Sequence, residues 1–182
     1  MWLTPSMAAV YRRWATFLFA GGLLSSAPFF GIVTANAESA TYALPACYGG
    51  DTQPAERPTQ AQFQTCADGS KELTDLTWTA FGSAGADGTG TYSYQVCEPN
   101  CAAGHRVFFP VVVHADEPEL QPNGAGCPAG TMFYTNLVIA YSAEVPGPDG
   151  GGPTMRFRGM PATLYSTAAT PDAPTSLAAP RC

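Results

Sequence analysis

The chain has 182 residues, a net charge of −6 at neutral pH and a hydrophobic share of 46%. This length makes one domain the natural count and is enough for a real hydrophobic core. The acidic balance argues against a nucleic-acid partner and against electrostatic docking on an anionic membrane, because like charges repel.

The first 37 residues have the layout of a secretory signal peptide. They hold no acidic side chain, carry Arg12 and Arg13, and then run apolar from residue 14 to residue 33. The small-residue triplet Ala35-Asn36-Ala37 follows, and it predicts cleavage between Ala37 and Glu38.

Two alternatives would keep the chain at a membrane. About 20 apolar residues can span a bilayer as a retained anchor, although Gly21-Gly22 and Pro28 interrupt this run. The segment Leu44-Pro45-Ala46-Cys47 loosely resembles the site at which bacterial lipoproteins are acylated, but it lies apart from the apolar run and would leave an odd number of cysteines. We therefore expect no stable membrane span after cleavage.

Cleavage would leave one acidic domain and a tail. Residues 38–182 number 145, and six basic residues face 14 acidic ones there once Arg12 and Arg13 are removed, so the net charge becomes −8. A chain of this length buries about two-thirds of its unfolded surface, which predicts a single β-rich domain over residues 38–166. Residues 167–182 form a tail rich in Pro and Ala.

The cysteine count indicates an oxidising compartment. All six cysteines follow the predicted cleavage site, and an even number in an exported chain predicts up to three disulfides. The sequence does not choose among the possible pairings. The six are Cys47, Cys66, Cys97, Cys101, Cys127 and Cys182.

The first predicted element is a strand that begins near Leu73. Its residues alternate with a period of two, which is typical of a half-buried strand. Leu76, Trp78 and Ala80 are expected on one face. Phe81 is expected on the other.

Two more strands are expected after a turn. The Gly-rich residues 82–88 predict a break, and alternation then resumes in a strand that ends at Cys97. Residues 106–115 are rich in β-branched side chains and predict a buried strand. Pro110 within them cannot donate a ladder hydrogen bond, so a bulge or an edge position is expected there.

The strongest strand prediction covers residues 131–142, which are apolar on both faces and are therefore expected at the centre of a sheet. Residues 154–165 predict a weaker pair of short strands, broken at Gly159-Met160-Pro161. Short strands joined by Gly- and Pro-rich turns, without a helical period, predict an all-β fold, namely a small disulfide-stapled β-sandwich or barrel.

Cys97, Cys101 and His105 recur every four residues. On a helix, thiolates and an imidazole at this spacing would converge on a zinc ion. Pro99 and Gly104 argue against a helix, and an exported chain oxidises its thiols, so we expect neither a metal nor a cofactor. We expect instead a cysteine-bounded connection between two strands.

Candidates for catalysis are few. A Ser or Cys nucleophile needs a neighbouring base, the chain has two histidines, His105 and His114, and it contains no G-x-S-x-G motif. His114 shares a strand face with Arg106 and Phe108, which favours exposure to solvent. No catalytic residue is therefore predicted, although a hydrolase with a dispersed site around either histidine stays open.

Acidic and aromatic residues suggest two more kinds of site. Asp116, Glu117 and Glu119, and separately Asp149, are candidate calcium ligands, but neither segment has the spacing of a calcium loop, and their prolines favour solvated loops. Aromatic residues could line a carbohydrate or lipid groove, although such residues more often pack in a core. They are Trp78, Phe81, Tyr92, Tyr94, Phe108, Phe109, Phe133, Tyr134 and Tyr141.

Three runs of residues along the chain form one pattern. They are Leu76-Thr77-Trp78-Thr79-Ala80-Phe81-Gly82, Gly85-Ala86-Asp87-Gly88-Thr89-Gly90-Thr91 and Cys97-Glu98-Pro99-Asn100-Cys101-Ala102-Ala103-Gly104. The pattern resembles that of a group of small secreted actinobacterial proteins, mycobacterial and streptomycete ones among them. The likeness covers about residues 65–113, with a weaker match at residues 133–137. It implies export and a bacterial origin, and it implies no mechanism. Phe81 departs from the pattern, because such proteins often have a second tryptophan there.

The function expected from the sequence is binding or structural. Export, disulfides and the scarcity of catalytic groups predict a non-catalytic β domain that is secreted or associated with the cell envelope, with an unidentified extracellular or envelope ligand. A secreted hydrolase is one alternative. The other is a secreted protease inhibitor that presents the loop between Cys97 and Cys101, since a closed loop loses little entropy on binding.

Overall fold

The computed structural model describes most of the region that follows the predicted signal peptide. Within the described residues every regular element is a β-strand and no α-helix occurs. The signal peptide, its cleavage site at Ala37 and Glu38, Cys66, Asp149 and most of the tail lie outside these residues. The described residues are 39–48, 52–64, 70–121, 126–147, 150–168, 175–177, 180 and 182.

The strands form one hydrogen-bonded sheet. In chain order they are β1 (Thr41–Ala43), β2 (Ala61–Gln62), β3 (Lys71–Gly82), β4 (Gly85–Val96), β5 (His105–Leu120), β6 (Thr131–Tyr141), β7 (Met155–Phe157), β8 (Met160–Ser166) and β9 (Thr175–Ser176).

Seven strands lie side by side in the order β2-β3-β4-β5-β6-β8-β7, and all neighbours in this order are antiparallel. The short strands β1 and β9 add parallel pairings to β6 and β8. The sheet curls, since the ring of Phe63, next to β2, lies 5.1 Å from the ring of Tyr165 in β8. The all-β, disulfide-linked fold class expected from the sequence is confirmed.

The predicted break over residues 82–88 is wrong, because the turn contains Ser83 and Ala84 alone and β4 begins at Gly85. Two positions within β4 require glycine, because the backbone and large side chains of β3 occupy the space where a side chain would lie. A Cβ on Gly88 would lie 2.8 Å from the indole of Trp78, and a Cβ on Gly90 would lie 2.9 Å from the side chain of Leu76.

The predicted faces of β3 are also partly wrong. Trp78 and Phe81 were expected on opposite faces, yet their rings are in contact, with centroids 5.0 Å apart. The pairing of β3 with β4 shifts register between Trp78 and Ala80. Such an irregularity reverses the faces that follow it, because side chains alternate with a period of two. Ala80 is consequently exposed.

Pro110 lies where one side of β5 loses its partner. Its pairing with Thr91 in β4 is continuous, without a bulge, while pairing with β6 begins only at Val111. The carbonyl oxygen of Pro110 accepts a hydrogen bond from Ser142 N at 3.3 Å. N and O of one residue point to the same side of an antiparallel strand, so the missing donor faces the end of β6. The expected bulge or edge position is wrong, because β5 lies between β4 and β6 and its pairing with β4 has no bulge.

β6 is central, with β5 on one side and β8 on the other, and most of its residues are buried on both faces. This confirms the strongest strand prediction. The two short strands expected over residues 154–165 are β7 and β8, joined by Arg158 and Gly159. Both turn residues have positive φ, 49° and 82°, which is the geometry of a tight two-residue hairpin turn.

The main core lies on the inner face of the curled sheet. Its large side chains include four fully buried tyrosines, Tyr92, Tyr134, Tyr141 and Tyr165. Their hydroxyl groups need partners in an apolar interior. The hydroxyl of Tyr92 donates to the carbonyl oxygen of Gly150 at 2.6 Å, and burial raises the pKa of Tyr92 well above its ordinary value.

Two disulfides lie within the described residues, Cys97–Cys101 and Cys127–Cys182. Cys47 is also disulfide-bonded. The expectation of disulfide bonds is thus confirmed. Cys182 is covalently attached to Cys127, which immediately precedes the turn into β6. Within the described residues no helix is long and apolar enough to cross a bilayer.

Candidate functional site

The loop from Cys97 to Gly104 connects β4 to β5. The two strands pair up to Val96 and His105, so the loop closes the end of a hairpin. Cys97 and Cys101 form a disulfide across it, which agrees with the expected cysteine-bounded connection. Their sulfurs are therefore not thiolates and cannot serve as the zinc ligands that the spacing suggested.

The loop is exposed and internally braced. Every residue from Cys97 to Ala103 is exposed to solvent. The side-chain oxygen of Asn100 accepts a hydrogen bond from the backbone N of Ala103 at 3.0 Å. A Cβ on Gly104 would collide with the carbonyl oxygen of Val96, so only glycine permits this close return of the chain. The loop thus projects an ordered backbone into solvent.

The two histidines do not form one site. His105 and His114 lie in the same strand, and nine residues of extended chain separate them by about 30 Å. Their odd and even positions place them on opposite faces of the sheet. His105 is exposed beside the loop, whereas His114 belongs to a polar cluster on the outer face.

His114 lies between two carboxylates. Its Nδ1 is 2.9 Å from Oδ1 of Asp87 in β4, and its Nε2 is 3.3 Å from Oδ2 of Asp116 in β5. Asp116 accepts a further hydrogen bond from the amide of Asn136 at 2.9 Å. A catalytic histidine in a nucleophile–base pair needs one ring nitrogen facing the nucleophile. Both nitrogens of His114 face carboxylates instead.

The β7–β8 hairpin covers this cluster. The ring of Phe157 stacks on the imidazole of His114 with centroids 5.1 Å apart. Arg158, at the hairpin tip, donates to Oδ1 of Asp87 at 2.8 Å. His114 was expected to be exposed, but its side chain keeps only 20% of its accessible surface. We name Asp87, His114, Asp116, Asn136 and Arg158 the hairpin clamp, because these contacts hold the hairpin against the sheet.

The charges of the hairpin clamp change the ionisation of Asp87. Burial by itself raises the pKa of this carboxyl group, but the hydrogen bond and charge of His114 and the charge of Arg158 outweigh it and lower the pKa below 3.8. Asp87 therefore stays ionised across the physiological range. The hairpin clamp is therefore a set of ion pairs and hydrogen bonds between strands. None of the contacts described brings a nucleophilic side chain to His114.

The acidic residues proposed as calcium ligands occupy a strand. Asp116, Glu117 and Glu119 all lie in β5, which continues to Leu120, so the solvated loop expected there is wrong. Pro118 is accommodated within the strand and pairs with Tyr134 of β6. Asp116 lies on the opposite face of the strand from Glu117 and Glu119, so the three carboxylates cannot converge on one cation. Among the described residues no group of three or more acidic, His or Cys side chains could hold a metal ion.

The aromatic residues pack inward. Of the nine that were considered for a groove, Phe108 alone is exposed, at 63%. Four of them form a cluster in which five pairs of rings have centroids 5.9–6.3 Å apart, namely Tyr92, Tyr94, Phe109 and Tyr141. The described surface therefore offers no aromatic platform for a sugar or a lipid.

A small cleft of about 330 Å³ lies beside β2. Neutral polar side chains line much of it, and Glu72, the one charged residue among the described lining residues, lies 3.6 Å from Nη1 of Arg106. This volume is at the lower end of the range for small-molecule sites, about 300–1,000 Å³. Sequence reasoning did not find this cleft, because its walls come from irregular chain before β2. Its polar side chains are Thr52, Gln53, Thr59, Gln60, Gln62 and Glu72.

These features define a disulfide-linked β domain with one braced, exposed loop and an outer polar cluster engaged within the protein. Neither a family model nor a curated protein nor a solved structure matches this chain.

Proposed function

We propose that this chain is an exported, non-catalytic β domain that binds a partner outside the cytoplasm, free or at the cell envelope, through the loop from Cys97 to Gly104. The observation that carries the proposal is the form of this loop, which is exposed from Cys97 to Ala103 yet closed by a disulfide and braced by Asn100. An ordered loop loses little conformational entropy on binding.

The hydrolase alternative has less support. Its best candidate base, His114, has a carboxylate beside each ring nitrogen and a phenyl ring over its face. The other histidine, His105, lies about 30 Å away along the same strand. Replacement of His114 by Asn should leave partner binding unchanged, and replacement of both histidines by Asn should remove no hydrolytic activity. Loss of a hydrolytic activity in that variant would overturn the non-catalytic proposal.

The protease-inhibitor alternative is a special case of loop binding. Glu98, Pro99 and Asn100 form the exposed apex between the two cysteines, which is the type of element that inhibitors present. A panel of purified serine and cysteine proteases, assayed with and without the protein, tests this possibility. Inhibition that disappears in Glu98→Ala would identify the partner class, and its absence would restrict the proposal to other partners.

The loop itself is tested by matched charge removal. Purified envelope fragments of the host are sedimented with the wild-type protein, with Glu98→Ala and with Glu119→Ala. Glu119 is an exposed acid on β5, away from the loop, so its variant makes the same change in net charge.

We expect Glu98→Ala to weaken binding by about tenfold or more, as for a central interface residue, and Glu119→Ala to bind like the wild type. Gln60→Ala, in the cleft, is the second control. Weakening by Gln60→Ala alone would move the binding site to the cleft and contradict the proposal.

A further inference from the structure

The disulfide between Cys97 and Cys101 differs from the other described one in its surroundings. Both of its cysteines are exposed, whereas Cys127 and Cys182 are half-buried. Thiol–disulfide exchange requires in-line access of a thiolate to a sulfur atom, so exposure governs its rate. An incoming thiol can reach the loop disulfide without any opening of the fold.

The fold does not depend on this disulfide to hold the hairpin. Strands β4 and β5 pair continuously over Ala86–Val96 and His105–Ala115, and the disulfide closes only a short loop at the end of that ladder, with a sequence separation of 4. Short loops gain least from a covalent link. The same ladder keeps the two sulfur positions near each other after reduction, which favours closure of the bond again.

We propose that Cys97 and Cys101 form a thiol-exchange site that accepts two electrons from dithiol reductants and returns them to small-molecule disulfides, which are reduced to thiols, without unfolding of the domain. A thiolate of the dithiol attacks one cysteine sulfur, the bond between Cys97 and Cys101 breaks, and the other cysteine leaves as a thiolate that takes a proton. The second thiol of the reductant loses its proton and attacks the reductant's own sulfur in the mixed disulfide. The bond between that sulfur and the protein cysteine breaks, and this cysteine also leaves as a thiolate that takes a proton. Two electrons pass to the protein, which holds two thiols, and the reductant leaves as a disulfide.

The test is stepwise reduction of the native protein. Dithiothreitol is added under non-denaturing conditions, samples are quenched with iodoacetamide over time, and alkylated peptides are quantified by mass spectrometry. Circular dichroism follows the β-sheet in parallel. We expect alkylation of Cys97 and Cys101 at least about tenfold faster than that of Cys127 and Cys182, with an unchanged sheet signal.

Reoxidation is the second half of the test. When dithiothreitol is replaced by oxidised glutathione, the Cys97–Cys101 pair should form again in the folded protein. Equal rates at all four cysteines, or alkylation that accompanies loss of the sheet signal, would overturn the proposal. The double variant Cys97→Ser with Cys101→Ser should fold with the wild-type sheet signal, and a failure to fold would equally overturn it, since the disulfide would then be structural.

Discussion

The substitution Gly88→Ala tests the close packing of β3 against β4, which leaves no room for a side chain at position 88. A Cβ at position 88 would lie 2.6 Å from the carbonyl oxygen of Thr77 and 2.8 Å from the indole of Trp78. The ordinary separation of carbon and carbonyl oxygen is about 3.3 Å. Thr77 O belongs to the backbone of the neighbouring strand, so relief requires a shift of β3 itself and a weaker β3–β4 ladder.

The expected cost follows from this overlap. Adding a methyl group to a well-packed site destabilises a protein by about 1–3 kcal/mol, and the backbone contact puts Gly88→Ala in the upper part of that range, about 2–3 kcal/mol. For a domain of this size, 1 kcal/mol lowers the Tm by about 4 °C. We therefore expect Tm to fall by about 8–12 °C.

The matched control is Gly82→Ala at the end of β3. A Cβ there has no atom within 4 Å, and replacement of glycine restricts the unfolded chain, so a neutral or slightly stabilising result is expected. Both variants are measured by thermal and urea unfolding with the disulfides intact. A Gly88→Ala protein as stable as Gly82→Ala would refute the packing of Trp78 against Gly88 and the strand assignment of residues 85–91.

Three further substitutions test the hairpin clamp and the core. Since the folded pKa of Asp87 is lowered, its charge stabilises the fold above pH 3.8 and this contribution is lost as the pH falls through the folded pKa. The stability difference between wild type and Asp87→Asn in urea titrations should therefore shrink on acidification, and a difference that grows would contradict it. Arg158→Ala should lower the unfolding free energy by no more than about 1 kcal/mol, less at high salt, because its ion pair is half exposed. Tyr92→Phe should cost about 1–2 kcal/mol in chemical denaturation, since the carbonyl oxygen of Gly150 loses a buried donor; an unchanged midpoint would show that this contact contributes nothing.

The strands that the sequence predicted correctly share one property. β6 and the buried face of β5 are rich in β-branched and aromatic residues, so local propensity and tertiary burial agree. The glycines of β4 show the opposite case, because their low strand propensity predicted a break where the structure has a strand. Positions 88 and 90 require glycine because the backbone of β3 and the side chains of Trp78 and Leu76 lie where a Cβ would be. A propensity argument cannot include a neighbour on another strand.

The hairpin clamp was not predictable from spacing. Arg158 and Asp87 are 71 residues apart in the chain, and they meet because the β7–β8 hairpin folds over the outer face of the sheet. The positive φ values at Arg158 and Gly159 come from a tight turn for which Arg-Gly is a weak signal beside Asn-Gly or Asp-Gly. The sequence therefore indicated a pair of short strands without indicating what they cover.

The type of loop between Cys97 and Gly104 was predictable from the sequence. Two cysteines four residues apart around a proline indicated a closed connection, and the structure has that disulfide at the hairpin end. Its brace by Asn100 and the need for glycine at position 104 are visible only in the folded chain. The actinobacterial resemblance and the export of the chain stay predictions.

The most direct test of the central claim is the intact mass of the protein recovered, without reductant, from its host's culture fluid and envelope fraction. The proposal predicts a chain that begins at Glu38, that is about six hydrogens lighter than the reduced chain because of three disulfides, and that carries no acyl group, metal or cofactor. A full-length chain with free thiols in the cytosolic fraction would contradict export and, with it, the proposed binding function outside the cytoplasm.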